Sequence, residues 1–306
     1  MKGLELSRLF YEEYGAPMLH KEFPHLEGLV AVGLAGSGSE CLGYDDEYSH
    51  DHDFEPGFCI FLPDEDAVDR RSAFLLERAY AKLPTEFMGY TRSPVSPVGG
   101  SRHGVIRMED FFRERTGTPD GVLSLGDWFS LPEQSLLEAV NGAIFRDGLG
   151  QMSEIRRRLA YLPEDVRRKK LAGHLLLMGQ AGQYNYPRCL GRSDAGAAQL
   201  ALCEFVRSAL HAAFLLNRRY LPYYKWSFYA LRRLPMLSSL APLLEDLLLA
   251  RGSEDTVETV CRLIIDALRA EDLSRFEGNE MEGHAYEVNG RVEDPSLRSL
   301  HVLFGV

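Results

Sequence analysis

The sequence predicts an α+β chain, mixed up to about residue 125 and all-helical over residues 126–306. Three observations carry this. Two apolar runs of strand length, residues 29–34 and 58–62, flank a glycine-serine turn and an acidic loop, which is how buried strands bounded by turns read. Past Gly117, Pro119 and Gly121 the apolar residues recur at three- and four-residue intervals instead. Ala195–Leu216 is apolar almost all round, as the central helix of a bundle is.

Taken in order, residues 3–14 have helical spacing, with Pro17 as the stop. The two strands follow. Residues 64–82 read as a helix opened by Pro63. Residues 84–104 are loop-rich, with a short extended piece at 87–90. Residues 104–108 read as a strand and 109–115 as a helical turn. In the second half, Ser130 and Glu133 form a capping box opening a helix over 133–145, and Asp147-Gly148 turns the chain. Helices are expected over 150–161, 163–186, 195–216, 222–251, 255–271 and 296–303. Residues 277–294 read as a loop with a strand-like piece near Tyr286.

The formal net charge of −11 repels nucleic acid and argues against a DNA partner. The five cysteines are scattered and form no CxxC pair, so neither a disulfide framework nor a zinc site is expected. The acidic amphipathic N-terminus does not read as a signal peptide, and no membrane association is expected. A cytoplasmic location is the expectation, and the sequence admits a homodimer.

The chemistry concentrates in GSGSECLGYDDEYSHDHDFEPGF. If Asp51-His52-Asp53 enters the second strand, its two-residue period aims both carboxylates at one point and His52 away. Like charges held that close call for a cation between them, Mg2+ or Mn2+ in its place. The turn at Gly38-Ser39 offers backbone N–H groups and a hydroxyl to a phosphate, and Gly36-Ser37 is the alternative register.

Strand, Gly-Ser, spacer loop and Asp-x-Asp at the next strand resemble the signature of the nucleotidyltransferase superfamily, the DNA polymerase beta-like fold. The longer string resembles an uncharacterised bacterial branch of it, near the antibiotic nucleotidyltransferases. The resemblance implies a small mixed sheet followed by a helical bundle, with substrates bound between the two. It also implies transfer of a nucleoside monophosphate, AMP from ATP, to a hydroxyl of a small-molecule acceptor. Asp51 and Asp53 would hold the metal, and Gly38 and Ser39 the outer phosphates. Alternatives are a protein that keeps nucleotide binding without transfer, or a toxin-like enzyme acting on a macromolecule.

Other residues divide less sharply. The superfamily's third carboxylate has no clear counterpart; Glu109 or Asp110 would be the base, or merely an exposed helix start. Asp45, Asp46 and Glu47 read as a solvated acidic loop or an attractor for a cation. The stretch NRRYLPYYKW places Arg218, Arg219 and Lys225 among aromatics, suited to phosphate neutralisation and stacking, or to an ordinary helix end. Residues 156–158 and 167–170 read as solvated charged faces, and His174 and His211 as satisfied core histidines.

Overall fold

The computed structural model describes residues 1–49, 54–92, 103–249 and 253–306. They form two compact units, one of Met1–Ser124 with Ser135–Ala160, the other of Leu125–Gln134 with Tyr161–Val306. In chain order the elements are α1 (Gly3–Phe10), α2 (Ala16–Glu22), β1 (Ala31–Leu34), α3 (Ser39–Leu42), β2 (Cys59–Leu62), α4 (Arg70–Ala81), β3 (Glu86–Phe87), β4 (Tyr90–Thr91), β5 (Gly104–Arg107), α5 (Met108–Thr116), α6 (Leu125–Ser130), α7 (Glu133–Val140), β6 (Ala143–Asp147) and α8 (Gln151–Arg158). There follow α9 (Glu164–Met178), α10 (Tyr186–Gly191), α11 (Ala195–Leu216), α12 (Tyr224–Leu231), α13 (Leu240–Leu248), α14 (Glu254–Ala270), α15 (Met281–Gly290) and α16 (Pro295–Ser299).

The fold is α+β with a small mixed sheet in the order β5-β2-β1-β6. β1 runs antiparallel to β2 and β6, and β2 parallel to β5. Gly33 pairs with Cys59, Cys59 with Gly104, and Leu34 with Ala143. One end of the sheet therefore gathers the exit of β1 and the entries of β2, β5 and β6. Behind it, Phe58 touches the rings of Phe10 and Tyr80 at centroid distances of 5.9 and 5.0 Å. The Tyr80 hydroxyl donates to the Phe58 carbonyl at 2.8 Å and accepts its N–H at 3.2 Å, so the buried phenol is satisfied. In the second unit α9 packs on α11 and α15. Among the described residues α11 is the one helix with the length and composition of a membrane span, and 61% of that span is buried in the fold.

Several expectations change. Pro17 does not stop the first helix. A π-helical stretch, Tyr11–Gly15, precedes α2, and Pro17 sits in the first turn of α2, where its missing N–H costs no hydrogen bond. The helix expected from residue 64 starts at Arg70, because Asp69 caps it by accepting the Ser72 N–H at 2.7 Å. The helix expected through residue 145 ends at Val140, and residues 143–147 are strand β6, which returns residues 135–160 to the first unit. Gly142 causes the break: its φ is +70°, and a Cβ there would stand 2.0 Å from the Leu34 carbonyl oxygen. The expected loop at 277–294 contains α15, whose Met281, His284, Ala285 and Val288 share one buried face.

Gly142 and Gly150 form a matched pair. Both have positive φ, but a Cβ at Gly150 would meet nothing. Gly150→Ala should cost about 1 kcal/mol, the strain of the left-handed region. Gly142→Ala should cost clearly more and loosen the β1–β6 pairing. Urea denaturation of the two variants tests this, and equal losses would show the close approach to be unimportant.

Candidate functional site

Strand β1 is fully buried and runs straight into the turn Gly36-Ser37-Gly38-Ser39. Gly36 and Gly38 have φ of +112° and +122°, values that a side chain would resist. The turn is held from outside. Buried Asn141 accepts the Gly36 N–H on Oδ1 at 2.9 Å and donates from Nδ2 to the Gly36 carbonyl at 2.7 Å. Gly142 N–H donates to Cys41 on the far side of the turn at 2.8 Å. Arg156 anchors the loop that carries Asn141, donating to the Val140 and Asn141 carbonyls at 2.5 and 2.6 Å. The backbone N–H groups of Gly38 and Ser39 make no hydrogen bond among the described residues.

Arg115, from the end of α5, lies against the same turn. A Cβ at Gly36 would meet its Nη2 at 2.9 Å. Its guanidinium covers the Phe111 ring at 4.0 Å, and Nη1 donates to the Phe111 carbonyl at 2.9 Å. Its Nε is buried with no partner.

Asp51 and Asp53 lie outside the described residues. Gly38 and Ser39 are in the turn. Glu109 and Asp110 are not beside it. β5 starts level with Cys59 and ends at Arg107 level with Leu62, so both carboxylates follow the opposite end of the sheet. There they pair with Arg113 at 3.4 and 3.2 Å, and Glu109 lines a cavity of 280 Å³ with Asp64, Asp120 and Arg158. Neither reading of Asp45 holds. It is buried, accepts the Gly3 N–H at 2.9 Å and faces Lys2 at 3.6 Å, so it fixes the start of α1. Asp46 caps its own turn by accepting the Tyr48 and Ser49 N–H groups.

The remaining candidates belong to the second unit. Arg218 is held by Glu164, which also takes two guanidinium N–H groups of Arg167. Burial pushes the Glu164 carboxyl up, but the hydrogen bonds from Arg167 and Arg218 outweigh it and bring it down to about 2. Arg219 and Lys225 are exposed, and the Lys225 ammonium lies 5.4 Å from the Trp226 ring. Residues 167–170 are not a solvated face. Arg167 donates to the Leu215 carbonyl at 3.2 Å, and Lys169 to that of Leu300 at 2.7 Å. Such carbonyls at and beyond a helix end need donors. His174 and His211 stack in parallel at 4.3 Å. His211 meets Glu133 at 3.2 Å, while the Nδ1 of His174 is buried without a partner, so His174 is not the satisfied core residue expected.

A family model described as "Domain of unknown function (DUF4037)" matches residues 128–227. No curated protein and no solved structure matches the chain. The matched segment contains Asn141, α9, α11 and the Glu133–His211–His174 cluster, and leaves the Gly-Ser turn outside.

Asn141 and Arg115 were absent from the sequence reading. The Asn141-Gly142 dipeptide is a turn signal that would have located the first. Nothing in the sequence marks Arg115, whose position depends on the path of α5 back along the sheet.

Two outcomes follow from this geometry. Asn141→Ala leaves the buried Gly36 N–H and carbonyl unpaired and should cost about 1–3 kcal/mol in urea denaturation. A loss within error would mean that the turn holds itself. The second concerns pH. Burial, and then the neighbouring His211, push His174 well below its ordinary value of 6.5. The unfolded chain then binds a proton that the folded one refuses, so stability should fall as pH drops below about 6.5. Buried His284 is lowered as well and adds to the same fall, whereas Glu164 acts only between about 4.5 and about 2. His174→Phe should therefore narrow, without abolishing, the difference in urea midpoint between pH 7 and pH 5. An unchanged difference would remove His174 from the account.

Proposed function

We propose that the protein transfers a nucleoside monophosphate, AMP from ATP, to a hydroxyl of a small molecule, with nucleotide bound at the Gly36–Ser39 turn. The observation that carries this reading is the turn itself. It leaves a buried central strand, its backbone is clamped by Asn141, and the N–H groups of Gly38 and Ser39 are unpaired among the described residues. Such a concavity of fixed N–H donors suits a phosphate. The Asp51-x-Asp53 carboxylates precede the strand that starts beside this turn, and their hard oxygen donors suit Mg2+. Bound by Asp51 and Asp53, the metal would supply neutralisation of the triphosphate's charge. Gly38 and Ser39 would orient the outer phosphates for in-line attack by the acceptor hydroxyl. Of the second unit's basic residues that the sequence singles out, Lys225 and Arg219 are exposed, whereas Arg218 is engaged by Glu164. The absence of membrane or DNA partners and a cytoplasmic setting accompany this reading.

One observation favours a second reading, nucleotide binding without transfer. Glu109 and Asp110 stand at the wrong end of the sheet to serve as a base at the turn. The two readings separate in one assay. Wild-type protein with labelled ATP, Mg2+ and pooled metabolites and antibiotics should release pyrophosphate and label an acceptor. Asp51→Asn and Asp53→Asn should each lower the rate on the order of 10²-fold or more while leaving the urea midpoint near that of wild type. Mg-ATP binding with no labelled product in any pool would support the second reading, and no binding would reject both.

A further inference from the structure

We infer that Arg115 is the first unit's cation for the phosphate group received at the Gly36–Ser39 turn, a role resting on the nucleotide reading above. The need comes from charge. A triphosphate carries about four negative charges and one divalent cation cancels about two, so the rest require cations or N–H donors. Residues 33–63 contain no lysine or arginine. The charge must come from elsewhere in the fold.

Four other arginines of the first unit are engaged elsewhere. Arg70 is paired with Glu65 at 2.9 Å on the surface. Arg107 donates to the Pro63, Asp64 and Val68 carbonyls at the far end of β5. Arg146 donates to the carbonyl and carboxylate of Glu27, and Arg156 to the loop carrying Asn141. Arg115 differs in both place and partnership. Its side chain is only 14% exposed, yet the one carboxylate it meets among the described residues, Glu114 at 3.1 Å, is 75% exposed and offsets little of its charge. Among the described residues only Nη1 makes hydrogen bonds. Nε has none, and Nη2 makes none among the described residues while occupying the space that a side chain at residue 36 would fill.

Packing alone does not account for this. A guanidinium serving only to fill the space beside Gly36 would leave donors unpaired in a largely buried place, where unpaired polar groups are costly. A phosphate oxygen at the turn, accepting from Nη2 and from the N–H groups of Gly38 or Ser39, gives these donors a partner. Gly36 then has a second purpose besides its φ of +112°: the missing side chain lets the guanidinium reach the turn.

Calorimetry on the full chain tests this, with sodium tripolyphosphate as a probe of charge alone and Mg-ATP as the nucleotide. Loss of a charge-assisted hydrogen bond should weaken both ligands about tenfold or more in Arg115→Gln. Arg115→Lys should fall between that variant and wild type. Arg113→Gln, which removes an exposed cation from the same helix, should stay within about twofold. If Arg115→Gln does not fold, Arg115→Lys decides. Wild-type affinity for both ligands in the Arg115 variants overturns the inference even where transfer activity persists. Weakened binding in a protein that labels no acceptor keeps the inference and rejects transfer. Failure of the wild type to bind either ligand rejects both.

Discussion

The first unit depends on one reciprocal contact, the Asn141 side-chain amide against the peptide of Gly36. It ties the exit of β1 to the entry of β6 across more than a hundred residues of sequence, and both hydrogen bonds are buried. Around it, Gly33 and Gly142 allow backbones to approach where a Cβ would stand within 2.4 and 2.0 Å of a carbonyl oxygen. A side-chain amide satisfies a peptide group as a neighbouring strand would, but at a point where no strand continues. The turn therefore keeps an irregular backbone without a buried orphan, and the N–H groups beyond it keep a fixed direction. A site for a charged ligand gains most from donors positioned before the ligand arrives.

The second unit solves a different problem. Buried cations there serve carbonyls at helix ends: Arg167 reaches Leu215 in the last turn of the long α11, and Lys169 reaches Leu300 just past the short α16. Glu164 and Glu271 lie within 2.7 and 3.3 Å of Arg167, so its charge is not left uncompensated. Arg218 shares Glu164 and is thereby removed from the cations free to meet a ligand. The Glu133–His211–His174 arrangement is the less settled part, since one ring nitrogen of the stacked pair has no partner.

What the sequence made legible followed from period and punctuation. The strands β1, β2 and β5, and the helix α11, lie where their apolar patterns put them, because burial imposes the pattern directly. β6 was missed because its apolar residues resume the helical pattern of α7 after only two residues, Asn141 and Gly142, which separate the two states. α15 was missed because its exposed side is polar and glycine-bearing, while its buried face is only four residues. Of the candidate site, the glycine-serine turn was legible and its supports were not. Asn141 and Arg115 reach it through tertiary pairing. Conversely, the charge run at 167–170 looked solvated because a sequence shows no helix end that lacks a donor.

The interrupted membership of the first unit has a consequence for its biosynthesis. On the ribosome, β1, β2 and β5 emerge well before residues 143–147, which complete the sheet beside β1. At about 5–20 residues per second, the nascent chain spends a few seconds with one side of the buried strand β1 unpaired. An open strand edge is a template for pairing with another chain. Cutting an expression fragment at the apparent composition change near residue 125 would make that transient permanent, leaving β1 without β6 and Gly36 without Asn141.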